Sequence, residues 1–110
     1  MIRGLLVTAY FKLTSPLSQD EVHAIYQKHY QQEKFIRISP NNKIPNVKQV
    51  RGTNFCDIGI HVDSRTQRLI VTSAIDNLIK GAAGQAIQNM NLMCQLSETL
   101  GLTKISAIYP

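Results

Sequence analysis

Three basic residues in this sequence stand directly before a glycine: Arg3-Gly4, Arg51-Gly52 and Lys80-Gly81. Lys80 opens a helix made largely of small residues, Lys80-Gly81-Ala82-Ala83-Gly84, whose first N–H groups have no intrahelical partner. A mobile cation beside such N–H groups makes a site for an anion or an amide oxygen. The same glycines and alanines also let a helix approach a sheet closely, and both uses can hold at once. Arg51 and Arg3 fall at loop-to-strand junctions, where a guanidinium can take a carboxylate or phosphate with two parallel donors; the alternative is a solvated strand end.

His23, His29 and His61 carry the side chains that titrate near neutrality. No nucleophile is patterned beside His23, expected exposed, or His29, expected half-buried, so both read as structural. His61 shares a strand face with Asp57, four residues earlier, and is the better candidate for a base. Cys56 and Cys94 fall within apolar patterns without metal-type spacing, and there a thiol acts as a small hydrophobe with a raised pKa. Met90 and Met93 read as core filler.

The elements that must position these groups are legible from periodicity. Residues 4–13 form a strand that stops at Pro16, and Ser18-Gln19-Asp20-Glu21 is a capping box with Leu17 and Val22 as its staple. The helix that follows puts Val22, Ile25, Tyr26, His29 and Tyr30 on one face, against a sheet. A short strand at 35–38 and a loop at 39–46 lead to an alternating strand over 54–62. Its apolar set is Cys56, Ile58, Ile60 and Val62; Asp57, Gly59 and His61 take the other face, open to water or to a partner subunit. Residues 63–68 turn the chain into a returning strand at 69–75. After Asp76-Asn77 a helix runs to about Leu96 with Ala83, Ala86, Ile87, Met90, Met93 and Cys94 as an apolar stripe. A short turn follows at 97–101, and the tail from Leu102 to Pro110 has no clear assignment. The order predicts an α+β fold, a mostly antiparallel or mixed sheet with helices on one face.

With 110 residues, 44% of them hydrophobic, the chain has the size of one domain and no run long enough to cross a membrane. The first ten residues place Arg3 before an apolar run, but Lys12 interrupts it and no cleavage pattern follows, so it reads as a strand and not a leader. Two cysteines fit reduced thiols in the cytoplasm. A formal charge of +5 suits anionic metabolites, phosphates or nucleic acid. The scattered basic residues and 6% aromatic content provide neither the stripe nor the stacking platform of a nucleic-acid binder, so none is expected.

Three segments carry a family resemblance: Arg3-Gly4-Leu5-Leu6, Val50-Arg51-Gly52-Thr53-Asn54-Phe55-Cys56-Asp57-Ile58, and the run from Asp76-Asn77-Leu78-Ile79-Lys80-Gly81 to Asn91. In these the chain resembles the carboxy-terminal portion of the N-acetyl-gamma-glutamyl-phosphate reductases of arginine biosynthesis. The resemblance implies a fold like the catalytic domain of glyceraldehyde-3-phosphate and aspartate-semialdehyde dehydrogenases, with a last helix beside a dinucleotide-binding domain. It implies NADP(H) as cofactor, N-acetyl-glutamyl 5-phosphate as substrate, its semialdehyde as product, and a homo-oligomer. It places Asn77, Lys80, Gly81 and Ala82 toward nicotinamide or phosphate, and Arg51 and Arg3 on the substrate side. In that family a cysteine thiolate attacks the acyl phosphate and a histidine serves as acid/base. Here there is no G-x-G-x-x-G turn, neither cysteine stands in the family's Gly-Cys nucleophile motif, and none of the three histidines inherits the acid/base role. Residues 1–110 are therefore expected to be a single domain of a larger reductase, without the dinucleotide fold and inactive alone. The alternative is a self-standing oligomerisation or binding module.

Overall fold

The structure, a computed structural model, describes residues 2–103. Most of the tail from Leu102 to Pro110 lies outside the described residues. Ser18 closes the amino end of helix α1 (Gln19–Tyr30) as a reciprocal cap, its Oγ accepting the Glu21 N–H at 3.2 Å while the Glu21 carboxylate accepts the Ser18 N–H at 2.7 Å. Such a cap is worth about 1 kcal/mol. The helix lies on a sheet of four strands, β1 (Leu5–Lys12), β2 (Ile36–Ile38), β3 (Cys56–Asp63) and β4 (Arg68–Ile75), in the order β1-β4-β3-β2. β4 is antiparallel to both β1 and β3, and β2 joins β3 in parallel, so the sheet is mixed and mostly antiparallel, within the expected α+β class.

Val22 meets Ile58, Ile60 and Leu69, with Tyr26, Tyr30, Ile36, Ile38 and Val71 around them. Burying each aliphatic side chain of that core is worth about 1.5–3 kcal/mol. The ridge at four-residue steps, Val22, Tyr26 and Tyr30, makes the contact; Ile25 and His29, placed on the same face by spacing, lie exposed at its rim. β2 is too short to cover the far end of β3, and the Gln19 side-chain amide takes its place, donating to the Ile60 carbonyl at 2.8 Å and accepting the Val62 N–H at 2.7 Å.

The opposite face of β3 is not the polar, open surface that alternation predicts. The loop before residue 47 crosses it with Pro45 directly over Gly59, and a one-turn helix α2 (Val47–Val50) buries Val47 and Val50 against Ala74 of β4. Asp57 is buried beneath this cover and paired side-on with Arg37, Nε to Oδ1 at 2.6 Å and Nη2 to Oδ2 at 2.9 Å. The Arg37 guanidinium lies 4.3 Å from the centre of the Phe55 ring. Asp57 is thereby committed to Arg37, and His61 stands exposed without it.

After β4 the chain does not enter an α-helix at once. The Gly81 N–H donates to the Asp76 carbonyl at 3.0 Å and the Ala83 N–H to the Leu78 carbonyl at 3.1 Å, both five residues back, so Ile79–Ala83 is a π-helical turn. Helix α3 (Gly84–Met93) continues from it. The wide turn sets which face of α3 looks inward. Gly84, Gln88 and Asn91 are buried, while Ala83, Ala86, Ile87, Met90, Met93 and Cys94, expected as a buried stripe, are all exposed. Spacing found a true apolar face; the surface it would cover is not in the described fold.

Candidate functional site

The segments that hold the sequence candidates converge on one carboxylate. Asp76, directly after β4, is fully buried, and each of its oxygens takes two donors. Oδ2 accepts the Arg3 Nε–H at 2.9 Å and the Gly52 N–H at 2.6 Å; Oδ1 accepts the N–H groups of Leu78 at 2.8 Å and Ile79 at 3.2 Å. Burial by itself pushes this carboxyl up, but the N–H of Gly52, the N–H of Leu78, the Arg3 guanidinium and the N–H of Ile79 outweigh it and hold the pKa below the usual carboxylate value. Next to it the Gly4 N–H donates to Asn77 Oδ1 at 2.6 Å, and Arg51 Nη2 donates to the Arg3 carbonyl at 3.3 Å. Gly4 and Gly52 both have positive φ, 108° and 75°, and in place of a Gly4 side chain stands Val47. Glycine is required there to bring the two arginine-bearing segments to the Asp76 carboxylate.

Arg3, Arg51 and Asn77, separate in sequence, thus form one cluster. The Arg3 side chain is 37% exposed and only its Nε edge faces Asp76 among the described bonds, which leaves a planar cation at the rim. Two N–H groups expected to be available at the helix start, those of Leu78 and Ile79, are taken internally by Asp76.

Lys80 belongs to a second cluster and is not the freely exposed cation that its position suggests. Its Nζ donates to Gln88 Oε1 at 2.8 Å and lies 5.5 Å from the centre of the Phe35 ring. Gln88 Oε1 also accepts from Asn54 Nδ2 at 3.0 Å, and Gln88 Nε2 donates to Glu98 at 2.8 Å. Burial holds Lys80 below the ordinary lysine pKa, with Cys56, Glu98 and Glu33 acting in the other direction. Burial pushes the Cys56 thiol up, against the pull of Lys80, as expected of a packing residue and not a nucleophile. Cys94, Met90 and Met93 are exposed and fill no core, because α3 turns that face outward. His23 is half-buried, with Nε2 2.9 Å from the Ser39 carbonyl, instead of exposed. Gly81 and Ala82 remain exposed on the surface, with side chains no larger than a methyl of their own. No group of three His, Cys, Asp or Glu able to hold a metal occurs among the described residues.

Residues 1–77, which end just past Asp76 and take in Arg3, Arg51 and Asn77, match the family described as "Semialdehyde dehydrogenase, dimerisation domain". The chain belongs to this family. Among curated proteins, the dimerisation domain is 57% identical over 102 residues to the N-acetyl-gamma-glutamyl-phosphate reductase of Citrifermentans bemidjiense, covering 93% of this chain and 30% of that protein. It is 49% identical over 110 residues to the enzyme of that name from Bacillus subtilis (strain 168), covering all of this chain and 32% of that one. The chain therefore spans about a third of the length of the curated relatives it matches. The resemblance read from the three motifs is borne out. Among solved structures, aspartate semialdehyde dehydrogenase II from Vibrio cholerae superposes with a TM-score of 0.66 at 21% identity, over 84% of this chain and 28% of that one. That likeness establishes the shared fold.

Asp76, Asn54, Gln88 and Asn91 escaped the sequence reading as organising residues. For Asp76 a signal was present: an aspartate just before a helix is a favoured cap, able to accept the first free N–H groups. For the other three the signal was hidden, since buried amides held by hydrogen bonds to distant side chains and backbone leave no hydrophobic period.

Proposed function

We propose that this dimerisation domain is part of an NADP-dependent N-acetyl-gamma-glutamyl-phosphate reductase, which converts N-acetyl-glutamyl 5-phosphate to the semialdehyde in arginine biosynthesis in the cytoplasm. The observation that carries the reading is the identity of about half, maintained across the whole chain, to proteins of that name. The domain works as a homo-oligomer, in keeping with the description of its family.

Within that enzyme the chain supplies one wall of the active site. Arg3 and Arg51 face the substrate, where a carboxylate or acyl phosphate meets their planar donors. Asn77, Lys80, Gly81 and Ala82 form the cofactor side. The exposed Gly81-Ala82 surface fits a flat ring or a phosphate at close range, since these two residues carry no side chain larger than a methyl. When bound, NADPH supplies the hydride. The domain's own residues bind and orient; a half-buried, raised-pKa Cys56 and a Cys94 outside any activating cluster leave nucleophilic attack to a thiolate in another part of the reductase. The exposed face of α3, with Ile87, Met90 and Met93, meets the dinucleotide-binding domain.

The full-length protein is expected to oxidise NADPH in the presence of the acyl phosphate. Ala82→Asp, which sets a negative charge where a phosphate-bearing cofactor approaches, is expected to raise KM for NADPH about tenfold or more with little change in Tm. An unchanged KM refutes the cofactor-side assignment, and absence of any acyl-phosphate-dependent oxidation refutes the reductase reading.

A further inference from the structure

We infer that Asp76 is a positioning residue that couples the two sides of this site, holding the Arg3 guanidinium with one carboxylate oxygen and the turn that presents Lys80, Gly81 and Ala82 with the other. The inference rests on the reductase reading for what the two sides bind, but its geometry stands without it. Oδ2 serves the substrate side alone: the Arg3 Nε–H and the N–H of Gly52, neighbour of Arg51. Oδ1 serves the cofactor side alone: the N–H groups of Leu78 and Ile79, immediately before Lys80. The Asp76 carbonyl adds a third link, accepting from Gly81 and so fixing the π-helical turn itself.

A carboxylate is required for this arrangement. All four partners of the side chain are donors, so both oxygens must accept. An asparagine of the same shape has one acceptor and one donor end; its oxygen keeps the local cap on the Leu78 and Ile79 N–H groups, so its NH2 faces the Arg3 Nε–H and the Gly52 N–H and that side is released. A glutamate carries an extra methylene into a fully buried position. Arg3 is fixed by its Nε edge, which aims its terminal amino groups as a unit, so loss of the carboxylate leaves the cation present but unaimed.

The test is a mutant cycle in the full-length protein, with Arg3→Gln, Asp76→Asn and the double variant. KM for the acyl phosphate, KM for NADPH and kcat are measured for each, and the side-chain Nε–H resonances of 15N-arginine-labelled protein are recorded without substrate. Asp76→Asn is expected to remove the Arg3 Nε–H resonance from its hydrogen-bonded position and to raise KM for the acyl phosphate about tenfold. The double variant is expected to be no worse than the worse single variant for that KM, because Asp76 acts there through Arg3. An Arg3 resonance unmoved by Asp76→Asn, effects on KM that multiply in the double variant, or a lowered Tm with unchanged KM each overturns the inference. If the wild-type protein does not turn over the acyl phosphate, the reductase reading fails, and the Arg3 resonance still decides whether Asp76 holds the guanidinium.

Discussion

Asp76 has the most consequential side chain in the described structure, because three segments meet on it and because its charge is kept in a place without solvent. Its pKa lies below the ordinary 3.8, which makes it a source of pH-dependent stability. The sign follows from linkage: a carboxyl whose folded value is depressed stabilises the fold fully above its unfolded value and loses that contribution as pH falls through its folded value. Replacing it with asparagine is therefore expected to cost most at neutral pH, on the order of 1–3 kcal/mol for hydrogen bonds to a charged group, since Arg3 is itself partly exposed. The gap between wild type and Asp76→Asn should close as pH drops below about 4, the unfolded carboxylate range. Urea unfolding followed by circular dichroism across pH 2–7 measures it. Midpoints that stay parallel over that range would show that the charge is not what matters at this position. At this scale Arg3, Arg51 and Lys80 stood out as candidates by type and spacing and Asn77 through the family resemblance, but the carboxylate that gathers Arg3 and the Arg51 segment did not, since the partners of a buried acid lie up to 73 positions away.

At the scale of elements, strands, turns and α1 followed local rules closely, because capping and alternation are properties of neighbouring residues. α3 did not. Its apolar period is real, yet the helix buries Gly84, Gln88 and Asn91, because the π-helical turn sets its phase and the Gln88 and Asn91 amides find hydrogen-bond partners on the inner side. The glycines of this stretch, which look equivalent in sequence, are consequently expected to differ. Alanine normally stabilises a helix interior over glycine by up to about 1 kcal/mol. At Gly81 an added Cβ finds only ordinary contact, 3.4 Å from Ile75 Cδ1, so Gly81→Ala should change stability by no more than about 0.5 kcal/mol. At Gly84 the same atom collides with Asn54 Oδ1 and the Ile79 carbonyl, so Gly84→Ala should cost about 1–3 kcal/mol despite the better helix former. Thermal denaturation of the two variants compares them directly; equal shifts would mean that the inner side of α3 has been placed wrongly.

As a whole, the molecule leaves large apolar side chains exposed along two of its elements. β1 exposes Leu5, Leu6, Val7, Tyr10 and Phe11 on its two faces, and α3 exposes Ile87, Met90, Leu92 and Met93. Such surfaces mark contacts with other protein. They agree with membership of a dimerisation-domain family and with a chain that spans about a third of its relatives. The α+β class was legible from the order of the elements, and the need for further protein from the family resemblance; which faces that protein covers was not, because a sequence pattern shows that a face is apolar and not what covers it. The central claim is that this domain carries a wall of a reductase site without carrying the reaction. Acyl-phosphate-dependent NADPH oxidation, measured side by side for the full-length protein and for residues 1–110 alone, tests that claim most directly. Turnover by the full-length protein and none by residues 1–110 is the predicted result; turnover by residues 1–110 that Cys56→Ser abolishes would contradict it.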